Sequence, residues 1–231
     1  MERVRNHPLS PSLFIVSMET GEERIATLNL TPGVSVYGER LVVYENEEYR
    51  IWDPFRSKLA AAILNGIKEL PITSGSKVLY LGSATGTTAS HVSDIVGEMG
   101  LVYCVDFAPR SMRDFLSNVS QHRANVYPIL GDARSPESYA FLVGVIDGIY
   151  CDVAQPEQAR LLSGNARIFL AKGGWALQAI KARSIDVVRE PSAIFKEEIS
   201  ILQENGFEIL DSVRLDPYDK AHVMVLCRYG I

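Results

Sequence analysis

Three aspartates that follow strand-like apolar runs are the first candidates for chemistry in this chain. Asp106 ends the run LVYCVD, Asp132 follows NVYPIL after one glycine, and Asp152 ends VIDGIYCD. In an open parallel sheet the carboxyl ends of the strands meet at one edge, and ligands bind there. A carboxylate at that edge can accept hydrogen bonds from ribose hydroxyls or from an adenine amino group. We therefore expect the edge to hold a ligand that contains adenosine.

A glycine-containing loop within YLGSATGTTASHVSD (80–94) narrows the choice of ligand. Dinucleotide loops have a second glycine that lets the backbone approach a pyrophosphate, and here Ala84 stands between Gly82 and Gly86. A nucleoside triphosphate loop needs a lysine, which this stretch lacks. The amides at the start of the next helix, around Thr87 and Thr88, can meet a carboxylate. This combination favours S-adenosylmethionine, with NAD as the alternative.

Two lysines and a histidine are candidates for the reaction itself. Lys181 ends the run GWALQAIK, Lys58 lies on a helix before the first of the alternating strands, and His222 begins the last strand. If that strand is antiparallel, its start lies at the same edge as Asp152. Methyl transfer to an alcohol requires a hydroxyl that is oriented and loses its proton. A lysine with a lowered pKa, or one that stabilises alkoxide charge, suits that task, and Asp152 can hold it in place.

The elements that must position these residues fall into two parts. The first 52 residues predict a small all-β domain, with four strands at LFIVSME (13–19), RIATLNL (24–30), RLVVYE (40–45) and YRIWD (49–53). The pattern changes at Asp53 and Pro54, which we expect to be the cap and the first residue of a helix running through PFRSKLAAAILNGIKEL. We predict domains at 1–52 and 53–231.

Strands and helices alternate in the second part, which predicts a mostly parallel sheet with helices on both faces. The expected strands are 77–82, 101–106, 125–130, 145–152, 174–181, 207–215 and 222–228, and the expected helices lie near 87–98, 109–121, 135–142, 155–171 and 190–204. A short polar connection, LDPYDKA, makes the last two strands an antiparallel hairpin. This order predicts an α/β, Rossmann-like fold of S-adenosylmethionine-dependent methyltransferases, with seven strands of which the last is antiparallel.

Composition and charge exclude several classes of protein. The 231 residues are 47% hydrophobic and carry a formal net charge of -5, so any contact with RNA needs a local basic patch or a partner. Three cysteines without paired spacing predict buried thiols in a reducing cytoplasm and no zinc site. We find no signal-peptide pattern and no apolar run long enough for a membrane span, and we expect a cytoplasmic location without a bound metal.

Six stretches along the chain closely resemble fibrillarin, over a range from about Phe14 to the C-terminus. They are WDPFRSKLAAAI, YLGSATGTTASHVSD, VDFAPRSMRD, GDARSPESY, CDVAQPEQA and AIKARSID. GTTASHVSD and IKARSID are the most specific of them. Because the glycine/arginine-rich tail of eukaryotic fibrillarins is absent, the chain resembles an archaeal member of the family.

The resemblance implies methylation of ribose 2′-hydroxyls in rRNA and tRNA, with S-adenosyl-L-methionine as cofactor. It implies a particle in which a box C/D guide RNA selects the target RNA, with a Nop-family scaffold protein and a kink-turn-binding ribosomal-type protein. The cofactor contacts that it implies are Gly82, Ala84, Thr87, Thr88, Asp106, Phe107, Asp132, Ala133, Asp152 and Gln155, and the catalytic set is Lys58, Asp152, Lys181 and His222.

Two positions depart from the family pattern. Asp106 stands where a glutamate is usual, and its shorter carboxylate can still accept ribose hydroxyls. Ala221 and Val223 flank His222 where the family commonly has an aspartate and an alanine.

Two other functions remain open at this point. A small-molecule O-methyltransferase would share the fold, although metal-dependent examples place an Asp-Asn pair after the fifth strand and KARSID has none. A non-catalytic scaffold with a retained cofactor pocket is the other alternative.

Overall fold

An antiparallel sheet of five strands forms the N-terminal part of the molecule. The computed structural model describes residues 2–230, so residues 1 and 231, the outer ends of the two predicted domains, lie outside it. The strands are β1 (Arg3–His7), β2 (Ser10–Ser17), β3 (Glu23–Leu28), β4 (Leu41–Tyr44) and β5 (Glu47–Ile51), in the order β1-β2-β3-β5-β4. β1 is not among the predicted strands because its sequence, RVRNH, has a single apolar residue. The domain boundary between residues 52 and 53 stays a prediction.

The second sheet has seven strands and carries the edge at which the aspartates lie. Its strands are β6 (Lys77–Leu81), β7 (Leu101–Asp106), β8 (Val126–Leu130), β9 (Ile146–Cys151), β10 (Leu170–Lys181), β11 (Phe207–Arg214) and β12 (His222–Tyr229), in the order β11-β12-β10-β9-β6-β7-β8. β12 runs antiparallel to both β10 and β11, whereas β6 to β10 pair in parallel. The predicted seven-stranded α/β fold is confirmed.

The helices match the predicted order with three differences. They are α1 (Lys58–Leu64), α2 (Thr87–Val96), α3 (Pro109–Asn118), α4 (Gln158–Phe169), α5 (Ala182–Ile185) and α6 (Pro191–Glu204). The helix expected near 135–142 is a short 3-10 helix (Pro136–Tyr139), α3 gives way to a 3-10 turn (Ser120–His122), and α5 was not expected. Among the described residues, no helix combines the length and hydropathy of a membrane span.

The start of α1 differs from the prediction. The helix begins at Lys58 and its cap is Ser57, whose side chain accepts a hydrogen bond from the amide of Ala60. Asp53 instead accepts from the amide of Phe55, at 2.9 Å, and so forms a local turn. Aspartate supports both arrangements, and the choice between them depends on tertiary packing that the local sequence does not encode.

Two layers of helices cover the seven-stranded sheet. Along β6, Val78 and Tyr80 pack into one buried cluster with residues of α1, α2 and α3. Leu79 and Leu81 point to the other face and join a cluster with residues of α4 and α6. Such burial on both faces is typical of parallel sheets. The three thiols are free and buried, as predicted, at Cys104, Cys151 and Cys227.

The N-terminal sheet is joined to α2 by a buried ionic network, which we call the docking network: Arg50, Asp94, Glu39, Arg123 and His91. The Asp94 carboxylate is fully buried and receives Arg50 Nη1 at 2.7 Å and Arg123 Nη1 at 2.5 Å. Its two oxygens also accept from the hydroxyl of Thr27 (2.7 Å) and the amide of Leu30 (3.1 Å). Four donors therefore satisfy one buried carboxylate.

His91 completes this network on the side of the N-terminal sheet. Because the Thr27 hydroxyl gives its proton to Asp94, its oxygen accepts from His91 Nδ1 at 2.8 Å. His91 Nε2 then accepts from the Tyr37 hydroxyl at 2.8 Å. The imidazole stacks on Trp52, with ring centroids 4.6 Å apart. Burial, followed by the charges of Arg50 and Arg123, holds the pKa of His91 well below its usual range, so the ring is neutral.

Candidate functional site

A cavity opens at the carboxyl ends of the parallel strands, where the sequence places the candidate ligand site. It has a volume of about 160 Å³ and is open to solvent. Its walls combine small apolar side chains with a few polar groups. The lining residues are Gly82, Ala84, Val105, Asp106, Phe107, Gly131, Ala133, Asp152, Val153, Ala154, Gln155 and Lys181.

The glycine loop after β6 brings backbone close to two neighbouring strand ends. Gly82 has a φ of +81°, and a Cβ there would lie 2.7 Å from the carbonyl oxygen of Asp152. The amide of Ala84 donates to Asp106 Oδ2 at 2.8 Å. Gly86 has a different reason to be glycine, because a Cβ there would lie 2.4 Å from Val119 Cγ2. Gly82 thus shapes the cavity, whereas Gly86 allows close packing of α2 against the segment after α3.

The three strand-end aspartates are not equivalent. Asp106 lies at the cavity wall, and its carboxylate also accepts from the amide of Ala108 at 2.9 Å. Asp132 is not among the lining residues and pairs with Arg134, whose Nη2 lies 2.6 Å from Oδ2. The hydrogen bond from Arg134 lowers the pKa of Asp132. The structure therefore brings Asp106 and Asp152 to the cavity and leaves Asp132 beside it.

Thr87 and Thr88, predicted to meet a ligand carboxylate, do not line the cavity. The buried Thr88 hydroxyl donates to Ser57 Oγ at 2.9 Å, and Ser57 caps α1. Because α1 begins at Lys58, Thr88 supports the helix end that carries that lysine. The sequence prediction missed this contact, which joins residues 31 apart.

Two lysines converge on Asp152 at the edge of the cavity. Lys181 Nζ lies 2.8 Å from Asp152 Oδ1, and Lys58 Nζ lies 3.2 Å from the same oxygen. Lys181 Nζ also donates to the Asp152 backbone carbonyl at 2.8 Å. These side chains are 14 to 19% exposed, so water reaches them. Lys181 and Asp152 line the cavity, whereas Lys58 contacts the Asp152 carboxylate without lining the cavity.

His222 reaches this group through an aspartate that the sequence analysis did not select. His222 pairs with Lys181 across β10 and β12, as the antiparallel prediction requires. Its Nδ1 lies 2.8 Å from Asp219 Oδ1, and Asp219 Oδ2 lies 3.6 Å from Lys58 Nζ. We call these five residues the rim cluster: Lys58, Asp152, Lys181, Asp219 and His222. The only signal for Asp219 in the sequence is its place in the polar LDPYDKA turn.

Charge pairing sets the protonation of two members of the rim cluster. Burial lowers the pKa of Lys58, but the negative charges of Asp152 and Asp219 outweigh it, so the pKa is raised above its usual value. Burial raises the pKa of Asp219, but the hydrogen bond and charge of His222, with Lys58, make the net shift downward. Lys58 is therefore an ammonium at neutral pH. Of the two lysine roles that the sequence left open, a lowered pKa does not apply to Lys58.

The backbone of Lys181 is fixed by a residue that sequence reasoning also missed. The buried side chain of Gln158, at the start of α4, accepts from the Lys181 amide at 2.9 Å and donates to its carbonyl at 3.3 Å. A glutamine at a helix start has no local signature for such a role. The cavity contacts of Val105, Gly131, Val153 and Ala154 were likewise not predicted, because they are neighbours of motif residues without polar groups.

The residues present fit an adenosine compound. Phe107 is 60% exposed at the cavity and offers an aromatic face, and Asp106 offers a carboxylate. Asp152 lies further along the same wall, with its charge balanced by Lys58 and Lys181. Among residues 2–230, no group of three or more His, Cys, Asp or Glu residues could hold a metal ion.

Comparison with known proteins gives one consistent result. The family model described as Fibrillarin matches residues 4–231. The chain is 56% identical over 226 residues to the fibrillarin-like rRNA/tRNA 2′-O-methyltransferase of Pyrobaculum islandicum, covering 97% of this chain and 96% of that protein. It is similar to the crystal structure of Aeropyrum pernix fibrillarin with natively bound S-adenosyl-L-methionine, with a TM-score of 0.92, 55% identity and 97% coverage of each chain. A fibrillarin/Nop5p complex matches with a TM-score of 0.82 and 36% identity, covering 94% of this chain and 97% of that chain.

Proposed function

This chain belongs to the fibrillarin family, and from that premise we propose how it acts on RNA. It is an S-adenosylmethionine-dependent methyltransferase that methylates ribose 2′-hydroxyls of rRNA and tRNA. The observation that carries the proposal is the cavity that opens beside the Lys58–Asp152–Lys181 group, because it puts a ligand site and a charged reaction site on one edge of the sheet.

We assign the cofactor to this cavity. Gly82 and Ala84 would hold its methionine part against the loop. Asp106 would accept hydrogen bonds from its ribose hydroxyls. Phe107 and Ala133 would contact the adenine. Gln155 and Asp152 lie on the remaining wall. Asp132, Thr87 and Thr88 stay predicted contacts of the cofactor, although they do not line the cavity in this structure. When bound, the cofactor supplies a methyl group activated by a sulfonium.

The rim cluster would orient the ribose hydroxyl and take its proton. Asp152 lines the cavity and would accept the proton from the 2′-oxygen as that oxygen takes up the methyl group. The Lys181 ammonium, 2.8 Å from Asp152, stabilises the negative charge that develops on that oxygen. Lys58 stays protonated and fixes the carboxylate. His222 would act indirectly, through its contact with Asp219.

The partners in this proposal are a Nop-family scaffold protein, a box C/D guide RNA and a kink-turn-binding ribosomal-type protein. A formal net charge of -5 supports dependence on partners for RNA affinity, since phosphate contacts would be confined to local cations. Arg56, Lys58, Lys181 and Arg183 are the predicted cations. A cytoplasmic location is part of the same proposal.

A reconstituted methylation assay tests this function. Labelled S-adenosylmethionine is mixed with target RNA, this protein, the Nop-family protein and the kink-turn protein, with and without guide RNA. We expect labelled 2′-O-methyl ribose at the guided position only when all components are present. Equal labelling by the protein alone on unguided RNA would refute the guide requirement. Full activity of Asp152→Ala in the particle would refute the assignment of the reaction site.

A further inference from the structure

Phe55 is an exposed aromatic residue that the proposed reaction does not use. Its side chain is 67% exposed, although Pro54 before it and Ser57 two residues later are buried. Its backbone is fixed, because its amide donates to Asp53 Oδ1 at 2.9 Å. The ring is thus held outward by an ordered turn.

Tyr218 supports this ring from a separate segment of the chain. The two ring centroids lie 5.2 Å apart with the planes at 73°, an edge-to-face arrangement. Tyr218 itself is partly buried against the core, and its amide donates to the Leu215 carbonyl at 2.9 Å. We call Phe55 and Tyr218 the aromatic pair. The Phe55 ring faces solvent, and the Tyr218 ring packs against it.

The aromatic pair is attached to the two segments that carry part of the rim cluster. Phe55 lies three residues before Lys58, and Tyr218 directly precedes Asp219. Lys58 and Asp219 meet at 3.6 Å, so the two segments converge at the reaction site and again at the aromatic pair. The exposed ring is therefore carried by the same two segments that bring Lys58 and Asp219 together.

The residues that flank the aromatic pair in the chain include two exposed cations, Arg56 and Lys220, together with the acids Asp53, Asp216 and Asp219. Arg56 is exposed, its Nη1 donates to the Tyr37 carbonyl at 3.1 Å, and its guanidinium lies 5.0 Å from the Tyr37 ring centroid. Lys220, next to Asp219, is also exposed. Exposed aromatic rings between cations are typical of surfaces that bind nucleic acid strands, in which bases stack and phosphates pair with the cations.

We propose that the aromatic pair binds the RNA strand that carries the target ribose. The Phe55 ring packs against the nucleotide beside the target, and Tyr218 holds that ring in position. The wide, shallow minor groove of an RNA helix displays its 2′-hydroxyls, so a protruding side chain can reach the strand while Asp152 reaches the hydroxyl. This inference rests on the proposed function and adds to it a substrate-positioning surface.

The test compares variants in the reconstituted particle. We expect Phe55→Ala to raise the KM for target RNA about 10-fold, with kcat changed less than about two-fold. Phe55→Tyr keeps the ring and should behave like the unmodified protein, whereas Phe55→Leu should not. Phe141→Ala is the matched control, because Phe141 is 83% exposed and lies outside the aromatic pair and the cavity.

Two binding measurements separate the possible outcomes. Calorimetry on the lone protein should give the same S-adenosylmethionine affinity for Phe55→Ala as for the unmodified chain, and the Nop-family protein should bind both equally. In Phe55→Trp, fluorescence should be quenched when target RNA is added to the guided particle.

An unchanged KM in Phe55→Ala while the unmodified protein methylates RNA would overturn the inference. Weaker binding of the Nop-family protein would overturn it too, by assigning the surface to protein contact. An inactive unmodified particle would count against the proposed function instead.

Discussion

Two ionic groups of similar composition lie in different parts of this molecule and differ in burial. In the docking network, the carboxylate of Asp94 is fully buried between Arg50 and Arg123 and receives four hydrogen bonds. In the rim cluster, Asp152 sits between Lys58 and Lys181 at the edge of a cavity, and its side chain is 14% exposed. Both groups place one aspartate between two cations.

The difference lies in what each carboxylate has left to bind. Arginines hold Asp94 through planar, hydrogen-bonded contacts that leave no free acceptor, which suits a group whose role is to fix two sheets together. Lysines hold Asp152 as compact charges, and the cavity gives a third group access to it. We infer that the first group serves stability and the second serves reaction, and the following predictions test that division.

The largest expected effect is on stability, in Asp94→Ala. Removing this carboxylate leaves Arg50 and Arg123 buried without their shared partner, which should lower the free energy of unfolding by about 4 kcal/mol. Urea unfolding followed by circular dichroism measures the change. Glu197→Gln, which removes an exposed pair with Arg189, is the control and should change it by less than about 0.5 kcal/mol. Equal losses in both variants would contradict the comparison.

The next effect is on rate, in Asp152→Asn. We expect kcat in the reconstituted particle to fall about 1,000-fold, because the proton acceptor is lost and the lysines lose their counter-charge. The free energy of unfolding should fall less than in Asp94→Ala, because the Asp152 side chain is 14% exposed whereas that of Asp94 is fully buried. Asp114→Asn, at an exposed position on α3, should match the unmodified protein. A large loss of stability with little loss of rate would reverse the assignment of the two groups.

A pH dependence of stability should come from the docking network. The pKa of His91 in the folded chain lies well below its unfolded value of 6.5, so its contribution to stability is complete above pH 6.5. Below that pH the unfolded chain takes up a proton that the folded chain excludes, and stability should fall by about 1.4 kcal/mol per pH unit. Urea midpoints between pH 5 and 7 should show this slope, and His91→Gln should lack that part of it. Identical slopes would refute a neutral buried His91.

The smallest effect tests the link between the two regions. Thr88→Val removes the hydroxyl that donates to Ser57 and should lower stability by about 1 kcal/mol and kcat by about five-fold, because the Lys58 end of α1 loses a support. Affinity for S-adenosylmethionine, measured by calorimetry, should stay unchanged if Thr88 acts through Ser57. A loss of cofactor affinity with unchanged kcat would instead support the predicted contact of Thr88 with the cofactor.

Sequence reasoning predicted that Lys181, Asp152 and His222 would lie close together, because all three stand at strand ends. Lys181 and Asp152 end adjacent parallel strands, and His222 begins the antiparallel one, so their approach follows from topology alone. Contacts made by polar side chains across distant segments could not be predicted in this way. Asp219 beneath His222 and Gln158 beside Lys181 are examples.

The TTASHVSD half of the glycine-loop motif gives a second example of contacts that the sequence did not predict. In TTASHVSD, the sequence analysis placed the threonines at a ligand, whereas Ser90, His91 and Asp94 contact the N-terminal part of the chain. Their partners are 40 to 67 residues away, and no local periodicity reports such pairs. In this structure much of that segment faces the docking network.

The docking network also has a consequence for synthesis on the ribosome. Arg50 and its partner Asp94 are 44 residues apart, so at about 5 to 20 residues per second several seconds of translation separate them. During that interval the nascent N-terminal sheet carries an arginine without its aspartate and a Trp52 without the imidazole that stacks on it. The five strands of the N-terminal sheet are synthesised first. The sheet can make its contacts with α2 only after α2 has left the exit tunnel.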